Sequence, residues 1–170
     1  MDHDPRTAPE EQTEHFAAEL RREGYTMALY VAICLLGALL ALPEDEVRSR
    51  SLPVVWGVTV GLAAAHWFAF RLSTRLVTAG AVGRLDVAIA TAQLLGAAAV
   101  AVLASIVILI FPERLEVVAT ELALATFVAL VGFVAVRGGG TSRVRALLYA
   151  LVLFVFAVGL ALLKNWLTGH

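Results

Sequence analysis

The chain has 170 residues, of which 60% are hydrophobic and only 16% are charged. Its mean hydropathy is +0.84. A soluble domain carries about 25% charged residues, and one small core cannot bury this much apolar surface. The composition therefore excludes an ordinary soluble domain and predicts an integral membrane protein. The net charge of −1 says little about partners. The single cysteine, Cys34, excludes an intramolecular disulfide and a cysteine-based zinc site.

The first 24 residues form a polar segment without the basic start and cleavage site of a signal peptide. Thr7-Ala8-Pro9-Glu10 fits a capping box with proline near the first helical position. We predict a short amphipathic helix in residues 1–24 that lies at the membrane surface or continues into the first span. A disordered tail is the alternative.

Five apolar runs follow, and each is long enough to cross a bilayer, which takes about 20 residues. We predict spans at about 25–42, 53–71, 86–111, 117–136 and 146–163. The predicted connections include an acidic loop at 44–46, a segment at 72–85, a tight turn at 112–114 and a flexible loop at 137–143. The runs lack the alternation of a membrane barrel. The predicted fold is therefore all-α, with one five-helix transmembrane domain over residues 25–170.

Basic residues are distributed unevenly between the two sides of this predicted bundle. One side holds nine of the 13 Lys and Arg residues. They are Arg6, Arg21, Arg22, Arg71, Arg75, Arg84, Arg137, Arg143 and Arg145. By the positive-inside rule, we predict a multi-pass protein of the cell membrane with a cytoplasmic amino terminus and an external carboxyl terminus. These residues are too dispersed for nucleic-acid binding, which requires a clustered basic face.

The second span, Pro53 to Arg71, is predicted to be the central packing helix. Gly57, Gly61 and Ala65 form a small-residue stripe that would let two helix backbones approach closely. Ala97 is expected to play the same packing role in the third span. Such patterns also arise by chance in alanine-rich helices.

His66 is the candidate functional residue of the second span, because lipid offers an ionisable side chain no partner. Once the orientation is fixed, polar residues of neighbouring spans can be matched by their predicted depth in the membrane. This depth matching pairs His66 with Gln93 of the third span, and Arg71 with Asp86 at the inner boundary. Two plainer interpretations remain open. His66 and Gln93 would then only tie helices together, and Arg71 and Asp86 would only extend to water.

A second polar group is predicted near the outer side. Glu121 lies about one turn inside the fourth span, next to Thr120, and Lys164 ends the fifth. A Glu121–Lys164 pair is expected, because a long lysine can reach back along its helix. Glu121 is also close enough to the predicted outer surface to be merely interfacial, which leaves its role open.

Two functions fit this pattern. The first is a small homo-oligomeric channel or transporter for an ion or proton, with polar mouths and an apolar middle that acts as a gate. Histidine would make such a path sensitive to pH, since its unperturbed pKa is about 6.5. The alternative is a non-transporting module that binds and positions a partner protein or lipid. No enzymatic motif, cofactor site or metal site is predicted, because no second histidine or carboxylate stands at ligand spacing beside His66.

Overall fold

The computed structural model describes residues 7–41, 44–78, 83–112, 115–138 and 141–168. Within these ranges, side-chain surroundings are described except at 7–12, 44–49, 77–78, 157 and 160–168. The described chain is all-helical. Its five helices are α1 (Thr7–Ala41), α2 (Glu44–Thr78), α3 (Arg84–Ile110), α4 (Glu116–Gly138) and α5 (Arg143–Thr168). Among the described residues, α1 to α4 are long and apolar enough to cross a membrane. The prediction of a five-helix all-α fold is confirmed.

The polar amino-terminal segment is not a separate helix. It continues without a break into the first predicted span, so that α1 is one helix of 35 residues. This was one of the two helical arrangements expected from the sequence. At 1.5 Å per residue, such a helix is about 52 Å long, well beyond the roughly 30 Å of a hydrocarbon core.

The α2 helix extends beyond the predicted second span at both ends. The acidic residues 44–46 form the first turn of α2 instead of a loop, and Pro53 lies inside the helix. Proline removes only one backbone N–H, and Pro53 is exposed. The helix also continues to Thr78, into the predicted connection. Near this end the hydroxyl groups of Ser73 and Thr74 both donate to the carbonyl oxygen of Phe70, at 2.9 Å.

The other helices contain the predicted spans within a few residues. The α3 helix begins after Gly83, whose N–H donates to the Asp86 carboxylate at 2.8 Å, and this bond caps the helix. The tight turn expected at 112–114 includes residues 113–114, which lie outside the described residues. The flanking N–H groups of Leu115 and Glu116 both donate to the carbonyl oxygen of Pro112, at 2.8 and 3.1 Å.

The core is built around α1, which contacts each of the other four helices. Val31, Leu35 and Leu39 follow one another at four-residue spacing, and all three are fully buried. They pack with α3 and α4 side chains such as Val100 and Leu124. A continuous buried stripe of this kind is what a helix surrounded by others requires.

The prediction that the second span is the central packing helix is therefore wrong. Of the four candidate spans, α2 has the smallest buried share. A side chain added at Gly57 or Gly61 would meet nothing within 4 Å, and Ala65 is exposed. The small-residue stripe of α2 thus has no partner in the described chain. Ala97 of α3, in contrast, is buried as expected.

A close backbone contact instead joins α1 and α3 at two glycines. A Cβ added to Gly96 would collide with the carbonyl oxygen of Gly24 and lie 3.4 Å from the backbone nitrogen of Ala28. A Cβ added to Gly24 would lie 3.2 Å from the carbonyl oxygen of Ala92. Small residues permit this approach, and it brings the polar residues next to Gly24 within reach of α3.

Candidate functional site

Polar side chains join the antiparallel helices α2 and α3 at two levels. His66 Nε2 lies 2.9 Å from Gln93 Oε1. Farther along the same interface, the Trp56 indole N–H donates to Ser105 Oγ at 3.1 Å. The contact between His66 and Gln93 that depth matching predicted is therefore present. Depth matching works here because two consecutive antiparallel helices keep a constant register along their contact.

Gln93 also reaches the third helix of the site. Its side-chain Nε2 donates to Glu23 Oε2 of α1 at 3.0 Å. The other carboxylate oxygen, Glu23 Oε1, accepts from Arg22 at 3.2 Å. The result is a chain of polar groups, Arg22–Glu23–Gln93–His66, which crosses from α1 through α3 to α2. We call it the inner polar chain.

Sequence reasoning missed half of the inner polar chain. Arg22 and Glu23 were assigned to the polar amino-terminal segment, outside the predicted spans. Two signals point to them: the capping pattern is compatible with one continuous helix, and Gly24 directly follows Glu23. Only the contact at Gly24 and Gly96 shows that this turn of α1 packs against α3.

The hydrogen bonds of the inner polar chain have a direction. An ionised carboxylate only accepts, so Glu23 requires the NH₂ group of Gln93, and the amide oxygen then points to the imidazole. His66 must therefore donate from Nε2, either as the Nε2–H tautomer or as imidazolium. The assignment of the amide and the tautomer follows from the network.

A small cavity lies beside the inner polar chain. Its volume of about 20 Å³ is enough for one water molecule. The lining side chains are mainly apolar and come from all three helices: Met27, Ala63, His66, Trp67, Phe70, Ala90, Gln93 and Leu94. The imidazole of His66 and the amide of Gln93 are polar groups in this lining, so a water molecule in the cavity would contact the inner polar chain directly.

The predicted Arg71–Asp86 pair does not form. Asp86 accepts from the Gly83 N–H and caps α3. The guanidinium of Arg71 lies over the Trp67 ring, 5.5 Å from its centroid. The i,i+4 spacing brings an arginine and an indole of one helix together, and this local cation–π contact takes the place of the expected ion pair.

The opposite end of the bundle contains a buried carboxylate that sequence reasoning missed. Glu116, in the first turn of α4, is 6% exposed and accepts from the Ser51 hydroxyl of α2 at 2.9 Å. Thr120 is fully buried, and its hydroxyl donates to the carbonyl oxygen of Glu116 at 2.6 Å. Glu116 stands directly after a proline turn, which made it look like a loop residue.

The acid that the sequence did single out, Glu121, is partly buried and has an interaction partner in the structure. The Lys164 side chain lies outside the described part of the chain, so the expected Glu121–Lys164 pair stays a prediction. Thr120 and Glu116 place a polar group near this end of the bundle, as predicted for Thr120.

No group of three or more metal-ligating side chains occurs among the described residues. Comparison with protein families, with curated proteins and with solved structures finds no match to this chain.

Proposed function

We propose that the chain is a multi-pass protein of the cell membrane, with its amino terminus in the cytoplasm, that moves protons or small ions as a homo-oligomer. The inner polar chain is the observation that carries this proposal. An ionisable group among apolar helices is costly and usually marks an ion or proton pathway. Here Glu23, Gln93 and His66 come from three different helices and form one continuous set of hydrogen bonds.

The inner polar chain supports proton movement better than a purely structural tie. It holds two titratable side chains, those of Glu23 and His66, on either side of one amide, and a water-sized cavity adjoins it. Histidine changes charge near neutral pH. The amide itself does not carry a proton, so a proton would pass by way of water in the adjoining cavity.

The rest of the proposed path has two parts. Ser51 and Glu116 form a second polar position at the opposite end. Between the two positions the core is made of packed apolar side chains such as Leu35 and Val100. Such a region would gate by excluding water, and passage would need a helix movement or a path between subunits. The uncovered stripe at Gly57 and Gly61 supports a subunit contact.

The experiment is a flux measurement with purified protein in liposomes. A pH-sensitive dye inside the vesicles would report proton entry under an imposed gradient, from about pH 5 to 8. His66→Gln and Glu23→Gln should each remove most of the flux, because each removes a titratable group while keeping a hydrogen-bonding side chain. Trp56→Phe is the matched control, since it breaks the other α2–α3 hydrogen bond and removes no titratable group.

Two outcomes would overturn the proposal. One is wild-type flux no greater than that of protein-free liposomes for protons and for the common monovalent cations. The other is a loss of flux in Trp56→Phe as large as that in His66→Gln, which would assign both residues to helix packing.

The second candidate function is a module that binds a partner. It is favoured by the amino-terminal turns of α1, where residues 13–18 are helical and exposed. Phe16 is a large apolar side chain on this exposed segment. Absent flux from folded protein, together with a phenotype on deletion of residues 7–18, would favour this function over transport.

A further inference from the structure

One face of α2 changes from apolar to basic along its length. Ala63, Trp67, Arg71 and Arg75 follow one another at four-residue spacing, so they lie on one side of the helix. Each step advances about 6 Å along the axis. Trp67 is 53% exposed, and Arg71 and Arg75 are both exposed. We call these four residues the α2 ladder.

An apolar depression adjoins Ala63 and Trp67 of the α2 ladder. It is the cavity already described beside the inner polar chain, which is partly open to the surface. Ala63, Trp67 and Phe70 of α2 line it together with Met27 of α1 and Leu94 of α3. These side chains make an apolar surface between three helices, on the amino-terminal side of Arg71 along α2.

The two arginines are not paired with an acid in the part of the chain whose side chains are described. Among the residues that the structure describes, neither Arg71 nor Arg75 forms an ion pair with a carboxylate. The guanidinium of Arg71 is nevertheless held in place, 5.5 Å from the centroid of the Trp67 ring. A guanidinium that stacks on an indole keeps its N–H groups free to form two hydrogen bonds with a phosphate.

We propose that the α2 ladder is a binding site for an anionic phospholipid. The acyl chain lies in the depression against Ala63 and Leu94, the glycerol region lies at the level of Trp67, and the phosphate bonds to Arg71 with Arg75 as a second cation. Tryptophan is the residue that typically marks the headgroup level of a bilayer. The proposal rests on the membrane placement of the bundle and not on transport.

The chemistry predicts a preference for anionic over zwitterionic lipid. A zwitterionic headgroup carries its own cation beside the phosphate, whereas an anionic headgroup brings an uncompensated charge to the two guanidiniums. Basic residues near an anionic membrane surface contribute about fivefold each to affinity. Loss of Arg71 should therefore reduce the preference about fivefold, and loss of both arginines should nearly remove it.

Fluorescence of Trp67 provides the test. In a Trp56→Phe, Trp166→Phe background, Trp67 is the remaining tryptophan of the chain. The protein is reconstituted into phosphatidylcholine vesicles with a fixed small fraction of lipid brominated on the acyl chain. That lipid is either phosphatidylglycerol or phosphatidylcholine, and bromine quenches an indole in contact with it. Arg71→Gln is the test variant. Arg137→Gln is the matched control, because Arg137 is an exposed arginine in the last turn of α4.

The expected result is stronger quenching by brominated phosphatidylglycerol than by brominated phosphatidylcholine. The difference should fall about fivefold in Arg71→Gln and persist in Arg137→Gln. Equal quenching by the two lipids would overturn the proposal, and so would an unchanged preference in Arg71→Gln. Millimolar glycerol 3-phosphate should not compete, and competition would overturn the role of the acyl chain. The flux assay does not depend on these results, so each proposal can fail alone.

Discussion

Replacing Gly96 with alanine should force α1 and α3 apart. The new Cβ would collide with the carbonyl oxygen of Gly24 and lie 3.1 Å from its carbonyl carbon. Both are backbone atoms, so no rotamer change can relieve the contact. The helices would have to separate by about 1 Å, and a gap of that size costs a quarter to a half of the dispersion energy of the atoms that lose contact.

Overpacking of a well-packed contact costs about 1–3 kcal/mol, and alanine returns up to about 1 kcal/mol through its better helix propensity. We therefore expect Gly96→Ala to lower the free energy of unfolding by about 1–2 kcal/mol. Gly24→Ala should cost less, because its nearest neighbour would lie 3.2 Å away and needs only a small shift. Gly61→Ala should be neutral or stabilising, since nothing lies within 4 Å.

The assay is thermal unfolding of the three variants in one detergent, followed by circular dichroism. For a chain of this size, 1 kcal/mol corresponds to about 2–4 °C in Tm. The expected order of Tm is Gly96→Ala lowest, then Gly24→Ala, then Gly61→Ala. A Tm of Gly96→Ala at or above that of Gly61→Ala would refute the close contact between α1 and α3. It would also refute the position of Glu23 beside Gln93, which depends on that contact.

Four further substitutions probe other parts of the bundle by the same measurement. Ser51→Ala removes the hydroxyl donor of buried Glu116 and should cost about 1–3 kcal/mol; a cost below that of an average exposed substitution would contradict the buried bond. Leu35→Ala leaves a cavity at a fully buried core position and should lower the free energy of unfolding by about 2–5 kcal/mol. The Leu76 side chain is 80% exposed, so Leu76→Ala should change the stability in detergent little. Trp56→Phe loses one hydrogen bond to α3 and should cost about 0.5–1.5 kcal/mol; an unchanged Tm would show that this bond contributes nothing.

Composition and hydropathy were sufficient to predict five helices. Lipid offers the backbone no hydrogen-bond partner, and an apolar run of this length satisfies its own N–H and C=O groups by forming a helix. They also predicted the contact between His66 and Gln93. That prediction needed only the antiparallel order of neighbouring spans and the 1.5 Å rise per residue. Helix ends were less predictable. Residues 44–46 are acidic and 72–78 mix polar with apolar residues, yet both segments belong to α2 because nothing in them breaks a helix.

Tertiary structure decided which helix lies at the centre. The sequence shows small-residue patterns on several spans, and it does not show which of them meets a partner. Gly57 and Gly61 fit the expected pattern and face open space, whereas Gly24 and Gly96 lie in different helices and form a close backbone contact. Such a contact depends on the rotation and distance of two helices, which no local pattern encodes.

The way the helices pack also determined which polar groups meet. The sequence by itself determined that His66 stands in an apolar helix and that Gln93 lies at its depth. Only the packing of α1 against α3 brought Glu23 to the other side of the amide, and only the tertiary structure placed Glu116 of α4 beside Ser51 of α2. The contact of Arg71 with Trp67 is local to α2 and took the place of the ion pair expected from depth. Depth is a property of one helix and can be counted along the chain, whereas the partner at that depth depends on how all the helices pack.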